Sequence, residues 1–188
     1  MKWWIRNLVD CTPQAWSNGG GITCEIAAWP RQGDWQWRVS VARIDRDGPF
    51  SDFPGVQRWF AVLEGEGVEL VWPNKKALMG GRDTPLLFFG SPPCDARLLA
   101  GPTLDFNLMA RGLHGKLIRH QHIGIQVPWP AKAHIGVFAC TDSSWSIDTE
   151  TLTLGKYQLA WTISNEPIPW QWLYGEALVF VLCREVTE

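Results

Sequence analysis

No apolar run in this 188-residue chain is long enough to cross a bilayer as a helix, which excludes a helical membrane span. Basic clusters are also missing. With a net charge of −2 and no Lys/Arg run to track phosphates, neither nucleic acid nor a membrane surface is an expected partner. The first residues, MKWWIRNLVDCTP, place Arg6, Asn7 and Asp10 where a secretion signal needs an unbroken apolar core, so the expected location is the cytoplasm. Cysteine is sparse and scattered. Cys11, Cys24, Cys94, Cys140 and Cys183 are odd in number and form no C-x-x-C pair, so reduced thiols are expected rather than a disulfide framework. There is no G-x-S-x-G, no cysteine in a catalytic context and no serine beside a motif histidine, so no complete nucleophilic set is visible.

What the chain does have is strand patterning. Hydrophobic residues at 46% against 19% charged describe an ordinary globular protein, one domain or two small ones. In DWQWRVSVARI, Trp35, Trp37, Val39 and Val41 point one way, and Gln36, Arg38, Ser40 and Ala42 the other. TLDFNLMAR sets Leu104, Phe106 and Leu108 against Thr103, Asp105, Asn107 and Met109. HIGVFAC, SWSIDTETLTLG, YQLAWTIS and ALVFVLC continue the pattern to the C-terminus. RWFAVLEGEGVELVW reads as a hairpin turning at EGEG, and TPQAW as a helical turn with Thr12 as cap and Pro13 in first position. So many short strands predict an all-β sandwich or barrels. Thirteen tryptophans imply thick inter-sheet packing, aromatic pocket walls, or both. A soft boundary falls near Ala110 to Gln121, dividing 1–112 from 113–188 with room for strands to interleave.

WSNGGGITCEI, from Trp16 to Ile26, concentrates glycine ahead of a strand. A phosphate loop needs a following helix and usually a lysine, and neither is present. Asn18 and the glycines therefore mark a corner where backbone passes close to a strand or a ligand. Thr23 and Glu25 then share a strand face, which lines a cavity or lies in water.

Four stretches carry a family resemblance: WSNGGGITCEI, WRVSVA, DGPFSDFPGVQR and DFNLMARG, in that order, across residues 16 to 112. Together they resemble the HutD/Ves family of small bacterial proteins. The resemblance implies an RmlC-like double cupin, or bicupin: two packed antiparallel β-barrels, with 1–112 the barrel that carries the motifs and 113–188 a smaller one. Metal cupins carry G-x5-H-x-H-x3/4-E-x6-G. Registered on Gly65, that motif puts its Glu at Arg58, its two His at Ser51 and Phe53, and its first Gly at Asp45. Arginine repels a cation, so no metal and no other cofactor is expected. An arginine on a pocket floor favours an anion, and its planar fork suits a carboxylate; the alternative is an arginine paired with an acidic neighbour.

The expected ligand residues are Arg58 and Arg38 for a carboxylate, with Thr23, Ser40, Glu25, Asn18, Asn107, Asp105 and Ser51 around them. Asp105 and Asn107 would orient the arginines, bond a ligand amide, or satisfy strand-end backbone groups. Glu25 is a candidate general base. His120 and His122 share a strand face but lack a third ligand at metal spacing, as do His114 and His134, and read as surface histidines. The resemblance links such proteins to bacterial histidine utilisation, where urocanate and formyl- or formimino-glutamate circulate. It therefore implies a binding or regulatory protein for a small acid, with a homodimer possible, and alternatively a metal-independent isomerase or hydrolase.

Overall fold

Alternating sequence becomes alternating burial in a computed structural model that describes residues 1–121, 128–147 and 149–184. Its strands are β1 (Trp4–Asn7), β2 (Pro13–Ala15), β3 (Gly21–Trp29), β4 (Trp37–Ile44), β5 (Gly48–Pro49) and β6 (Gln57–Glu64). Then follow β7 (Val68–Trp72), β8 (Lys75–Met79), β9 (Leu86–Phe89), β10 (Asp95–Leu98), β11 (Thr103–Ala110) and β12 (His114–His120). The series ends with β13 (Ala133–Ala139), β14 (Ser143–Ile147), β15 (Glu150–Leu154), β16 (Gln158–Ser164), β17 (Trp170–Tyr174) and β18 (Ala177–Cys183). Every strand pairing is antiparallel, and no α-helix occurs among the described residues.

The chain divides into two units. Cys11–Gly112 forms one, with a six-stranded sheet in the order β2-β3-β4-β11-β6-β9 and a four-stranded sheet β5-β10-β7-β8. Its core draws on both sheets: Ile44, Phe60, Val62 and Phe88 from the first, Val68, Leu70, Trp72 and Ala96 from the second. Trp37, Val39 and Val41 are buried on one face of β4, and Ser40, Ala42 and Ile44 on the other. The sequence contrast on this strand thus separates a dry face from a face that borders a cavity.

The second unit comprises Met1–Asp10 and Leu113–Glu188. The expected division gave residues 1–112 to one part. The first ten instead belong here, because β1 pairs along its length with β16. A five-stranded sheet, β1-β16-β13-β18-β12, and a three-stranded one, β15-β14-β17, enclose a core that includes Ile135, Val137, Trp145, Trp172 and Val179. None of the five cysteines is in a disulfide. None of the described helices is long and apolar enough to cross a membrane.

Two local expectations are overturned. Pro13–Ala15 is strand β2, paired with β3 at the sheet edge, where proline's missing N–H is not needed; the one helical turn among the described residues is the 3-10 turn Leu8–Asp10. EGEG is not a hairpin. It carries the chain from β6 in the six-stranded sheet to β7 in the four-stranded one, so that both turn apolar faces to one core. Gly65 and Gly67 sit at φ 98° and 115°. A Cβ on either would lie 2.6 Å from the Pro102 carbonyl oxygen or 2.3 Å from that of Met79, so both the turn and the close approach require glycine.

Candidate functional site

β6 and β11 lie side by side in the six-stranded sheet, with Arg58 opposite Met109 and Phe60 opposite Asn107. On the inner face of that sheet a cavity of about 250 Å³ opens, at the small end for ligand pockets. Arg58, Arg38, Ser40 and Asn107 line it from the strands, and Thr23 joins them from β3. Asn18 borders it from the glycine-rich loop, and Ser51 and Phe53 from the loop before β6. Ser51, Phe53 and Arg58, the three positions matched to metal ligands, thus surround one space. A hydroxyl, a phenyl ring and a cation do not fit a divalent ion. Among the described residues no group of three or more His, Cys, Asp or Glu is placed to hold one. His122 lies outside the described residues. His120 packs against Trp170 and Trp172, and burial lowers its pKa, as it does that of His134.

Arg58 sets the chemistry. Its side chain is 5% exposed, and its guanidinium lies over three rings, 5.0 Å from the centre of Phe50, 5.1 Å from Phe88 and 5.7 Å from Phe53. Nη2 donates to Asn107 Oδ1 at 3.1 Å, while Nε is buried without a protein partner. No carboxylate among the described residues pairs with this cation. Burial pushes its pKa down to about 10, with the nearby Cys94 thiol opposing that shift and Arg38 adding to it. Burial also pushes Cys94 up to about 11, so its thiol stays neutral and leaves the cation uncompensated. An unpaired, desolvated cation on a cavity wall is costly, and an anion in the cavity would remove the cost.

Arg38 differs. Its Nε lies 2.9 Å from Oε2 of Glu25, a half-exposed side chain midway along β3, without hydrogen-bond alignment. Glu25, the candidate base, stands outside the cavity lining with its carboxylate against Arg38. Alternation had put Thr23 and Glu25 on one face. The register agrees: Thr23 lies opposite Ala42 and Glu25 opposite Ser40, two lining residues of β4. Thr23 borders the cavity and Glu25 does not, and β3 changes register on β4 just beyond them, between Glu25 and Ala27.

The glycine-rich loop is built as a corner. Asn18 Oδ1 accepts the Gly20 N–H at 2.9 Å, Gly19 sits at φ 66°, and a Cβ on Gly21 would meet the Arg43 carbonyl oxygen at 2.2 Å. The corner sets Trp16 over the cavity, where its indole N–H donates to Thr23 Oγ1 at 2.7 Å. Asp105 lies deeper than its neighbour Asn107. It is 0% exposed and outside the lining; its Oδ2 accepts from Thr103 Oγ1 at 2.7 Å and its Oδ1 has no protein partner. Burial raises its pKa to about 7 against the lowering effect of that hydrogen bond. Trp16, Phe50 and Phe88 are site residues that sequence reasoning did not single out. Spacing gives no sign that Phe50 and Phe53 from the loop before β6 and Phe88 from strand β9 converge on one guanidinium, with Trp16 packed on Phe50 behind them.

Fold and site together define a cupin-like, all-β protein with a small cavity built around a cation. The chain belongs to the HutD family, whose family model matches residues 9–179. It is 30% identical to Protein Ves of Cronobacter sakazakii over 139 residues, 73% of this chain and 76% of that protein. It is 38% identical over 108 residues to an uncharacterised 21.2 kDa protein of the hutC 3′ region of Pseudomonas putida, spanning 53% of this chain and about half, 54%, of that one. Among solved structures, HutD from Pseudomonas fluorescens SBW25 (formate condition) matches at a TM-score of 0.84 and 26% identity, covering 98% of this chain and 100% of that one.

Proposed function

We propose that the cavity of the 11–112 unit binds a small carboxylate-bearing metabolite without a metal, and that each unit is one cupin-type barrel of a bicupin. The observation that carries the reading is Arg58, a buried guanidinium with one neutral protein partner and no counter-charge. Arg38 is a second cation within the same lining, and its partly exposed pair with Glu25 is worth no more than about 1 kcal/mol, so a ligand carboxylate competes for it readily. Trp16, Phe50 and Phe53 supply walls, and Thr23, Ser40, Asn18 and Asn107 the directional hydrogen bonds. The relative from the hutC 3′ region supports a place in or over histidine utilisation, which makes urocanate and formyl- or formimino-glutamate the first acids to test. Binding is favoured over turnover because the candidate base, Glu25, is not in the lining.

The test is a thermal-shift panel of mono- and dicarboxylates on wild type and Arg58→Met. At a ligand concentration of 100 times Kd, wild type is expected to gain about 2.7 kcal/mol, and the variant nothing. A panel with no stabilising acid, or an equal shift in the variant, would remove the proposed role.

A further inference from the structure

The strand pairings of the two units repeat. β11 lies between β4 and β6, as β18 lies between β12 and β13. β9 flanks β6 as β16 flanks β13, and β7 sits between β8 and β10 as β14 sits between β15 and β17. Register carries the match down to residues. Met109 stands opposite Arg38 and Arg58, and Cys183 opposite His114 and Ala133. Asn107 stands opposite Ser40 and Phe60, and Val181 opposite Lys116 and Ile135. In the second unit the place of Arg58 therefore falls to Ala133, that of Asn107 to Val181 and that of Ser40 to Lys116.

A second cavity, of about 510 Å³, opens on these strands, inside the range of about 300–1,000 Å³ usual for small-molecule pockets. Ser40, Ala42, Ile44, Asn107 and Met109 line the first cavity; their counterparts Lys116, Ile118, His120, Val181 and Cys183 line this one. The position is kept and the chemistry is exchanged. Alanine and valine leave the inner face apolar where the first unit has a guanidinium and an amide. Trp129 and Trp170 add a wall of two indoles stacked with ring centres 4.8 Å apart, and the His120 ring stands edge-on to Trp170 at 5.1 Å. Burial, with Lys116 adding to it, lowers the His120 pKa, so that ring is neutral near pH 7. Lys116 is the one charged side chain among the described lining residues.

We infer that the second unit holds a ligand site of its own, for a planar aromatic body that carries one anionic group. The ring fills the apolar face and packs on the indoles, whose edges and faces favour another ring over a chain. The acid group stays at the mouth, where exposed Lys116 on edge strand β12 lays its stem along apolar surface and keeps its ammonium in water. A cationic ligand would meet Lys116 and no described carboxylate. The inference does not rest on the carboxylate reading of the first cavity, since it uses other strands and no arginine.

Isothermal titration of the intact protein would use 2-naphthoate and its neutral counterpart 2-naphthamide as probes. Wild type is expected to bind both saturably and to prefer the acid by about fivefold, the scale of an exposed ion pair. Lys116→Gln should remove that preference, and Ile118→Trp, which fills the cavity from a 37% exposed position, should weaken both probes more than tenfold. An unchanged urea midpoint would show that each variant is folded. The same binding in Arg58→Met would separate this site from the first one. Naphthoate binding that is lost in Arg58→Met and kept in Ile118→Trp would place the probe in the first cavity and overturn the inference. A preference that survives Lys116→Gln would overturn the anionic part of it. No binding of either probe would overturn the site, and a dimer that Ile118→Trp splits in sedimentation would then show a second copy covering this face.

Discussion

Replacing Arg58 by methionine is expected to stabilise the ligand-free protein by about 1–3 kcal/mol while abolishing carboxylate binding. Two effects oppose each other at this position. The side chain gives up water for three phenyl rings and one amide oxygen, at an effective cost of several kcal/mol for an ion. Its ring contacts return roughly 0.5–2 kcal/mol each. Methionine keeps much of that return through sulfur–aromatic contacts of about 0.3–1.5 kcal/mol and carries no charge to desolvate. The substitution leaves Asn107 Oδ1 without its donor, which costs about 1–3 kcal/mol unless cavity water takes over. The net sign therefore favours the variant, because the cavity admits water to Asn107 whereas nothing in the protein neutralises the guanidinium. Urea unfolding in a buffer without carboxylates measures the difference. A structural arginine would give the opposite sign, with the variant less stable by 2 kcal/mol or more.

Asp105→Asn is expected to give a stability difference that grows with pH. The folded carboxyl holds its proton up to about pH 7, whereas the unfolded chain releases it near 3.8. Between those values the folded state binds more protons, so wild type loses about 1.4 kcal/mol of stability per pH unit as pH rises. Asparagine resembles the protonated form in shape and keeps an oxygen for Thr103, so it does not share the loss. The two proteins should be close in stability near pH 4, diverge by several kcal/mol up to about pH 7, and keep a constant gap above it. Denaturant midpoints at four or five pH values would show the trend. A gap independent of pH, or an asparagine variant less stable at pH 8, would mean that the buried carboxylate has a stabilising partner.

Strand identity was legible because alternation is a local property. The polar side of WRVSVA, with Arg38 and Ser40, and that of DFNLMAR, with Asn107, both border the cavity as adjacent strands of one sheet. Registering the chain on Gly65 singled out Ser51, Phe53 and Arg58, which line one cavity, because spacing within a short segment is a local property. Partnerships were not legible. Whether Arg58 or Arg38 had an acidic neighbour depended on how β3 pairs with β4, which sets Glu25 opposite Ser40 and within reach of Arg38. Alternation gave Asp105 and Asn107 the same face but not their depths: Asn107 lines the cavity and Asp105 is fully buried outside the lining. The EGEG turn misled for a related reason. Glycines with positive φ serve a tight hairpin and a sheet-to-sheet crossing equally well, and long-range packing separates the two.

The central claim is that the Arg58 guanidinium waits for an anion, and its own N–H resonances report this most directly. In a ¹H–¹⁵N spectrum of arginine side chains, with Arg58→Met used for assignment, the Nε–H signal of Arg58 can be followed while a tight-binding acid from the panel is added. It is expected to move downfield and to saturate at one equivalent of ligand, as a group without a protein partner acquires one. Saturable binding that leaves this resonance unmoved would place the acid elsewhere and contradict the account.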